Sequence, residues 1–162
     1  MSDRIRIALI FCTVLAVVAA RAGGALASID RSTHASHATH MSHATRVAHE
    51  HAAVVSYARH FLGVRYVFGG TSPATGFDCS GFTRWVYAHF GISLPHYSGA
   101  QWSLGRPVSR AGLRPGDLVF FSGLGHVGMY IGHGLFIHAP HSGTSVEIDP
   151  LYGEYDGARR VL

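Results

Sequence analysis

The stretch GFDCSGFTRWVYAHF contains one cysteine, Cys79, between an acidic residue and a Ser-Gly pair. An apolar stripe with helical spacing begins at Phe82, so the sulfur is expected in the first turn of a helix. The free N–H groups there favour an anion and can lower the pKa of a thiol. Asp78 can cap this helix, and Ser80 and Gly81 are small enough to leave nearby amides open to a substrate. The pattern predicts a nucleophile whose neighbouring amides bind an oxyanion.

Two histidines are candidates for the base that a cysteine nucleophile needs. His126 and His138 each stand at the end of a predicted strand in the hairpin sequence GHVGMYIGHGLFIHA. If residues 132–134 form a three-residue loop, Gly128 faces His138, and His126 lies diagonally on the same side of the sheet. A plain two-residue loop would place the histidines on opposite faces, unless a bulge restored the register. The pairing of the two imidazoles therefore depends on the turn.

In the resulting mechanism, Cys79 attacks a carbonyl carbon of the substrate. His126 takes the thiol proton or pairs with the thiolate, then protonates the leaving amine, and His138 orients His126. The alternative for Cys79 is a buried structural cysteine, since free cysteines are among the most buried residues. His133 and His141 are expected at the surface.

The elements that must position these residues follow from the apolar pattern. The predicted helices are 47–62, 79–90 and a short one within 95–102. The predicted strands are 64–68 and the segments LVFF, HVGMYI, LFIHA, SVEI and ARRVL, and 71–77 is a turn-rich loop. Helices first and strands later, with short connections, predict an α+β fold with an antiparallel sheet.

The first 27 residues have the three parts of a secretory signal peptide: two arginines, an apolar run at 7–20 and the small-residue site Ala-Leu-Ala at 25–27. The run is shorter than the roughly 20 residues of a spanning helix, and Cys12 lacks the context of a lipid anchor. We expect a periplasmic or secreted protein without a membrane span after cleavage. Cys79 would then be the only cysteine left, which in an oxidising compartment indicates a reactive thiol or an intermolecular disulfide.

The rest of the chain is interpreted as a linker and one domain. Residues 28–46 are predicted to be a flexible, histidine-rich linker, and residues 47–162 a single catalytic domain. The linker histidines recur every third residue, but no carboxylate or cysteine joins them, so a tether is preferred over a metal site. The net charge of +4 comes from scattered arginines, so no nucleic-acid interface is expected. We expect a monomer.

Five segments occur in order between Val55 and Leu162: FDCSGF, LPHYSGAQ, LRPGDLVFF, HVGMYIG and FIHAP. Together they resemble the NlpC/p-sixty family of peptidoglycan peptidases. The resemblance implies a papain-like α+β fold, with N-terminal helices packed on an antiparallel sheet, and an enzyme without a cofactor or a catalytic metal. It also implies hydrolysis of amide bonds in the stem peptides of the cell wall, so the expected partner is peptidoglycan.

The same resemblance implies residue roles. It assigns the catalytic residues that the spacing also indicates, namely Cys79, His126 and His138. It adds three substrate-binding residues, namely Tyr66, Asp78 and Ser80. His96, which lines a cleft or faces water, stands where the family often has arginine, so substrate contacts at this position remain open.

The bond and two alternative functions stay open at this point. The segments GRPVSRAGLRPGDLVFF and YGEYDGARRVL are similar to small murein endopeptidases of Gram-negative bacteria, which cut D-Ala–diaminopimelate crosslinks. Many other members of the family cut γ-D-glutamyl–diaminopimelate bonds. The alternatives are a zinc site formed by Cys79, His126 and His138, and a wall-binding module without catalysis. A cysteine endopeptidase is preferred, because zinc would consume the thiolate and a silent module has no need of all three residues.

Overall fold

The computed structural model describes residues 42–162. The predicted signal peptide, residues 1–27, and most of the predicted linker, residues 28–41, lie outside the described residues. Within 42–162, no helix combines the length and the apolar character needed to cross a bilayer. The domain boundaries stay a prediction.

The regular elements in the described part of the chain are three α-helices, eight strands and a short 3₁₀ helix at Arg110–Gly112. The helices are α1 (His43–Arg59), α2 (Cys79–His89) and α3 (Ser98–Trp102). The strands are β1 (Thr71–Ser72), β2 (Gly76–Phe77), β3 (Arg106–Val108), β4 (Leu118–Phe121), β5 (His126–Gly132), β6 (Leu135–His138), β7 (Glu147–Pro150) and β8 (Tyr155–Arg160).

Six of the strands form one sheet in the order β3-β8-β4-β5-β6-β7, and each neighbouring pair is antiparallel. The other two strands, β1 and β2, form a small ladder just before α2. The predicted α+β class with an antiparallel sheet is therefore confirmed. Helix α2 begins at Cys79, as its apolar stripe predicts, and its buried side packs on β5 and β6.

The core lies mainly between the helices and the sheet. Phe82, Val86 and Tyr87 of α2 are fully buried there. Strand β4 is buried on both faces, because Leu118 and Phe120 join this core while its other two residues join a second apolar cluster on the opposite face. Burial on both faces explains why LVFF is continuously apolar and does not alternate with polar residues.

Several sequence predictions of secondary structure are wrong. Helix α1 begins at His43, four residues before the predicted start, because the side chain of Ser42 accepts a hydrogen bond from the backbone N–H of Thr45 at 3.2 Å. Residues 64–68 form no strand; Arg65 and Tyr66 each make a single bridge, and the two bridges lead to different segments. Strand β3 was not predicted, and its central Pro107 is tolerated because β3 lies at the sheet edge.

The β5–β6 hairpin decides where the two histidines lie. Its loop has two residues, His133 and Gly134, and both have positive φ angles of 54° and 73°. Of the alternatives that the sequence left open, the structure has the two-residue loop with a bulge. A bulge shifts the register between Tyr130 and Gly132, and beyond it the pairs are those that were predicted, with Met129 opposite Ile137. A tight turn plus one inserted residue thus keeps both histidines on one face.

A buried ion pair ties the last strand to the centre of the sheet. Asp117, which precedes β4, has no exposed surface. The guanidinium of Arg160 donates to its two carboxylate oxygens at 2.6 and 2.7 Å, and the backbone N–H of Arg114 donates to one of them at 2.7 Å. Because both partners are buried, removing either one would leave the other as an unpaired buried charge and destabilise the fold.

We expect Asp117→Ala to lower the free energy of unfolding by about 3–5 kcal/mol, because it leaves the buried guanidinium of Arg160 without a counter-charge. Urea unfolding monitored by tryptophan fluorescence measures the loss. Glu50→Ala removes an exposed carboxylate of α1 and is the control, with an expected change below about 0.5 kcal/mol. Equal stabilities of the two variants would contradict the role of the ion pair.

Candidate active site

Asp78 caps the N-terminus of α2 and holds the residues around Cys79. Its Oδ1 accepts hydrogen bonds from the backbone N–H of Gly81 at 2.6 Å and from the hydroxyl of Ser80 at 3.1 Å. Its Oδ2 accepts from the backbone N–H of Gly69 at 3.0 Å. The predicted cap is therefore present, and the same carboxylate also anchors the loop before β1 to the helix.

Gly81 has a different role from the one expected. Its N–H is bonded to Asp78 and is not open to a substrate. A Cβ at this position would collide with the carbonyl oxygen of Gly70, which itself accepts a hydrogen bond from the N–H of Asp78 at 3.0 Å. Glycine at position 81 therefore allows the start of α2 to pack closely against the loop.

Cys79 lies half-buried at the helix start. Burial raises the pKa of its thiol, and this outweighs the backbone amides of Val127 and Ser80, which bond the sulfur and lower the pKa. The charge of Asp78 raises the thiol pKa further. The expected lowering of the pKa is therefore wrong, because the helix terminus is only one of several influences and desolvation is the largest.

The two hairpin histidines are in contact. Nε2 of His126 lies 2.8 Å from Nδ1 of His138, and the ring planes meet at 74°. A Cβ on Gly128 would lie 2.5 Å from the ring of Phe136 and 3.0 Å from the Cβ of His138, so any other residue would displace the side chains packed beside His138. His126 directly precedes Val127, whose amide bonds the sulfur of Cys79. The structure thus places the two histidines in contact, on a hairpin against which the helix that begins at Cys79 packs.

Burial also keeps both imidazoles neutral. It lowers the pKa of His126 to about 4, with further lowering by His138 and His141. It lowers the pKa of His138 as well, although the hydrogen bond to Asp149 raises it in part. Both rings are therefore uncharged near neutral pH, as a proton-accepting base must be.

Asp149 and His96 are site residues that the sequence analysis missed or left open. Oδ2 of Asp149 lies 3.2 Å from Nε2 of His138, which is only 2% exposed. The sequence did indicate a strand here, but the predicted strand SVEI ended at Ile148, one residue before Asp149. His96 does line the cleft, and its Nε2 lies 2.8 Å from Oδ2 of Asp78.

A cleft of about 420 Å³ opens beside Cys79. Among the residues that line it are the three predicted to bind substrate: Tyr66, Asp78 and Ser80. Asp78 and Ser80 are largely buried and bonded to each other. Two aromatic side chains at the cleft are strongly exposed, Phe68 at 87% and Tyr97 at 66%. The cleft can therefore offer a carboxylate, hydroxyls and apolar surface to a ligand.

The geometry does not fit the alternative zinc site. His126 and His138 direct one ring nitrogen each at the other, so these two nitrogens are not available to a shared metal. Within residues 42–162, the one group with metal-ligand spacing is His138, Glu147 and Asp149, whose ligand atoms lie within 4.8 Å of one another. That group includes neither Cys79 nor His126.

Comparisons with known proteins point to one family. Residues 63–161 match the NlpC/P60 family. A probable endopeptidase p60 from Listeria innocua is 47% identical over 104 residues, which are 62% of this chain and 22% of the relative. A γ-D-glutamyl-L-lysine dipeptidyl-peptidase from Bacillus cereus is 46% identical over 120 residues, which are 67% of this chain and 36% of the relative. The chain thus spans about a fifth to a third of the length of these relatives.

A solved structure extends the comparison to the fold. The NlpC/p60 domain of the peptidoglycan hydrolase SagA superposes with a TM-score of 0.64 at 38% identity. The match covers 68% of this chain and 97% of that domain. It supports the family resemblance and the α+β fold inferred from the sequence.

We expect the rate of Cys79 alkylation by iodoacetamide to rise with pH to a midpoint above about 8.5, the ordinary value for a cysteine thiol, because burial raises its pKa. The rate is measured by mass spectrometry in a Cys12→Ser background. The same protein unfolded in urea is the control and should have the ordinary midpoint. A folded-state midpoint below that of the control would instead indicate a preformed thiolate.

Proposed function

The chain belongs to the NlpC/P60 family, and on that premise we propose that it is a cysteine endopeptidase that hydrolyses amide bonds in peptidoglycan stem peptides. In this proposal Cys79 is the nucleophile, His126 is the base and His138 orients the base. The observation that carries the proposal is the 2.8 Å contact between the two imidazoles, on the hairpin against which the helix that begins at Cys79 packs.

The first step transfers the thiol proton while the sulfur attacks. Because burial raises the pKa of Cys79 and lowers that of His126, the resting pair is a neutral thiol and a neutral imidazole. His126 therefore acts as a general base: it accepts the proton from Cys79 as the new S–C bond forms at the substrate carbonyl. The directions of these pKa shifts support proton transfer during the attack over a thiolate–imidazolium pair formed beforehand.

The later steps return the proton and release the products. The imidazolium of His126 gives its proton to the amine as the C–N bond breaks, which leaves a thioester on Cys79. Water then attacks the thioester, with His126 again as the base, and the free thiol is restored. The negative charge on the carbonyl oxygen is stabilised by the hydroxyl of Tyr66, which lies in the same cleft as Cys79.

Peptidoglycan stem peptides suit the chemistry of the cleft. The carboxylate of Asp78 gives it a negative charge, and the exposed rings of Phe68 and Tyr97 offer apolar contact. The relative from Bacillus cereus is named for the γ-D-glutamyl-L-lysine bond, and SagA is named a peptidoglycan hydrolase. We therefore favour the bond between γ-D-glutamate and the diamino acid over the D-Ala–diaminopimelate crosslink.

The proposed place of action is the periplasm or the exterior of the cell. Peptidoglycan lies outside the cytoplasmic membrane, and the signal-peptide pattern of residues 1–27 supports export. The histidine-rich segment that follows would act as a tether to the domain.

We predict that Cys79→Ser lowers kcat on purified muropeptides by more than about 10³-fold, because a serine hydroxyl is a far weaker nucleophile than a cysteine thiol at this position. His126→Ala should cost about 10²–10⁴-fold through the lost proton transfer. His138→Ala should cost less, since orientation can be retained in part. Release of products is measured by chromatography and mass spectrometry.

The control for these variants is His49→Ala, which removes an exposed imidazole of α1 and should leave kcat unchanged. Circular dichroism checks that each variant is folded. Full activity of folded Cys79→Ser would eliminate the thiol mechanism. Loss of wild-type activity with a chelator, combined with resistance to alkylation, would favour a metal enzyme.

The choice of bond is tested with two purified substrates. We expect the tripeptide L-Ala-γ-D-Glu-diaminopimelate to be cut to L-Ala-D-Glu and free diaminopimelate, because the favoured bond is the γ-D-glutamyl one. A crosslinked dimer containing the D-Ala–diaminopimelate bond should lose its stem dipeptides and keep its crosslink. Cleavage of the crosslink alone would assign the enzyme to the murein endopeptidases.

A further inference from the structure

The chain of hydrogen bonds at the site does not end at the third histidine. The carboxylate of Asp149 lies 3.2 Å from Nε2 of His138, and Nδ1 of the same ring lies 2.8 Å from Nε2 of His126. His138 is 2% exposed, whereas the side chain of Asp149 is 43% exposed. A buried ring therefore links the proposed base, His126, to a carboxylate at the edge of the sheet.

The direction of these bonds can be deduced from the protonation states. Both rings are neutral near pH 7, since burial lowers the pKa of each. A neutral imidazole has one N–H donor and one acceptor nitrogen. The carboxylate of Asp149 can only accept, so Nε2 of His138 must carry the proton of that ring.

The remaining protons follow from this one. With its proton on Nε2, His138 has a lone pair on Nδ1 and accepts from Nε2–H of His126. The single proton of His126 is then on Nε2, and its Nδ1 has a free lone pair. Within residues 42–162, Nδ1 of His126 makes no hydrogen bond to the protein, so no other protein group occupies its lone pair.

We propose that Asp149 is a positioning residue that fixes the tautomers of His138 and His126, so that Nδ1 of His126 is always the basic nitrogen. The proposal deepens the proposed function and rests on His126 being the base. Without the carboxylate, His138 could carry its proton on Nδ1 and donate to Nε2 of His126. His126 would then hold its own proton on Nδ1 and could not accept one from Cys79. The number of protons is the same in both arrangements, and only their positions differ.

Two acidic residues of β7 lie on the same face as His138, and only Asp149 makes a hydrogen bond to the ring. Glu147 is directly opposite His138 in the β6–β7 ladder, and Asp149 is opposite Phe136 on the same face. The carboxylate of Glu147 lies within 4.8 Å of the ring but makes no hydrogen bond to it. Glu147 is therefore a matched control, because it places a negative charge near His138 without a hydrogen bond to the ring. The other titratable group that acts on both rings is His141, which lowers the pKa of each.

The test compares three variants. Asp149→Ala removes the acceptor and the charge, Asp149→Asn keeps an acceptor oxygen without the charge, and Glu147→Gln removes only the neighbouring charge. Imidazole ¹⁵N chemical shifts distinguish protonated from unprotonated ring nitrogens, and His126→Ala and His138→Ala assign the signals. Activity on the tripeptide and its pH profile are measured alongside.

In the wild type we expect both histidines to be protonated at Nε2. Asp149→Ala should shift part of the population to the Nδ1–H form and lower kcat about tenfold with little change in KM, the order expected for one lost hydrogen bond to a charged group. Asp149→Asn should retain the tautomers and most of the activity. Glu147→Gln should change kcat less than about twofold.

Two results would overturn the proposal. One is a wild-type spectrum in which His138 is protonated at Nδ1, and the other is an Asp149→Ala variant whose tautomers and kcat equal those of the wild type. The ¹⁵N measurement needs no substrate. A wild-type protein with the expected tautomers but no activity on stem peptides would therefore refute the proposed function while it supports the role of Asp149.

Discussion

The carboxylate of Asp78 joins three segments that are separate in sequence. All three contribute residues to the walls of the cleft beside Cys79. One oxygen binds the start of α2 through Gly81 and Ser80. The other binds the loop at Gly69 and the imidazole of His96. Hydrogen bonds to a charged group contribute about 1.5–3 kcal/mol each when their partners are buried. The position of Cys79, next in sequence, is therefore determined by contacts that the cysteine itself does not make.

Burial then sets the proton balance of the site, because a poorly hydrated environment disfavours charge on any group. It raises the pKa of Cys79 and lowers that of His126 to about 4, so both start uncharged. For His126 the folded value lies below the ordinary 6.5, which means that the unfolded chain binds the proton more tightly. Its contribution to stability is complete above pH 6.5 and is lost as the pH falls towards 4. Burial of His126 thus keeps the imidazole neutral, but it lowers the free energy of unfolding at acidic pH.

Local patterns were enough to predict the parts of the site that depend on neighbours in sequence. The cap at Asp78, the helix start at Cys79 and the strands of the central hairpin all follow from spacing over a few residues. The sequence could not indicate contacts between distant segments. His96 meets Asp78 across 18 positions, and Arg65 and Tyr66 pair with two different segments instead of forming a strand. No short pattern encodes such pairs.

The hairpin lies between these two cases, because the sequence indicated that the histidines could pair but left the length of the turn open. Side chains alternate between the faces of a strand, so one inserted residue exchanges the faces. A two-residue turn at His133 and Gly134 alone would separate His126 from His138, but the bulge before Gly132 adds the compensating residue. The turn and the bulge together therefore keep His126 and His138 on the same face of the sheet. Gly128 is the local sign of this arrangement, because a side chain there would collide with the ring of Phe136 and crowd the Cβ of His138. A glycine opposite a histidine in a predicted hairpin is therefore better evidence for the pairing than the predicted length of the loop.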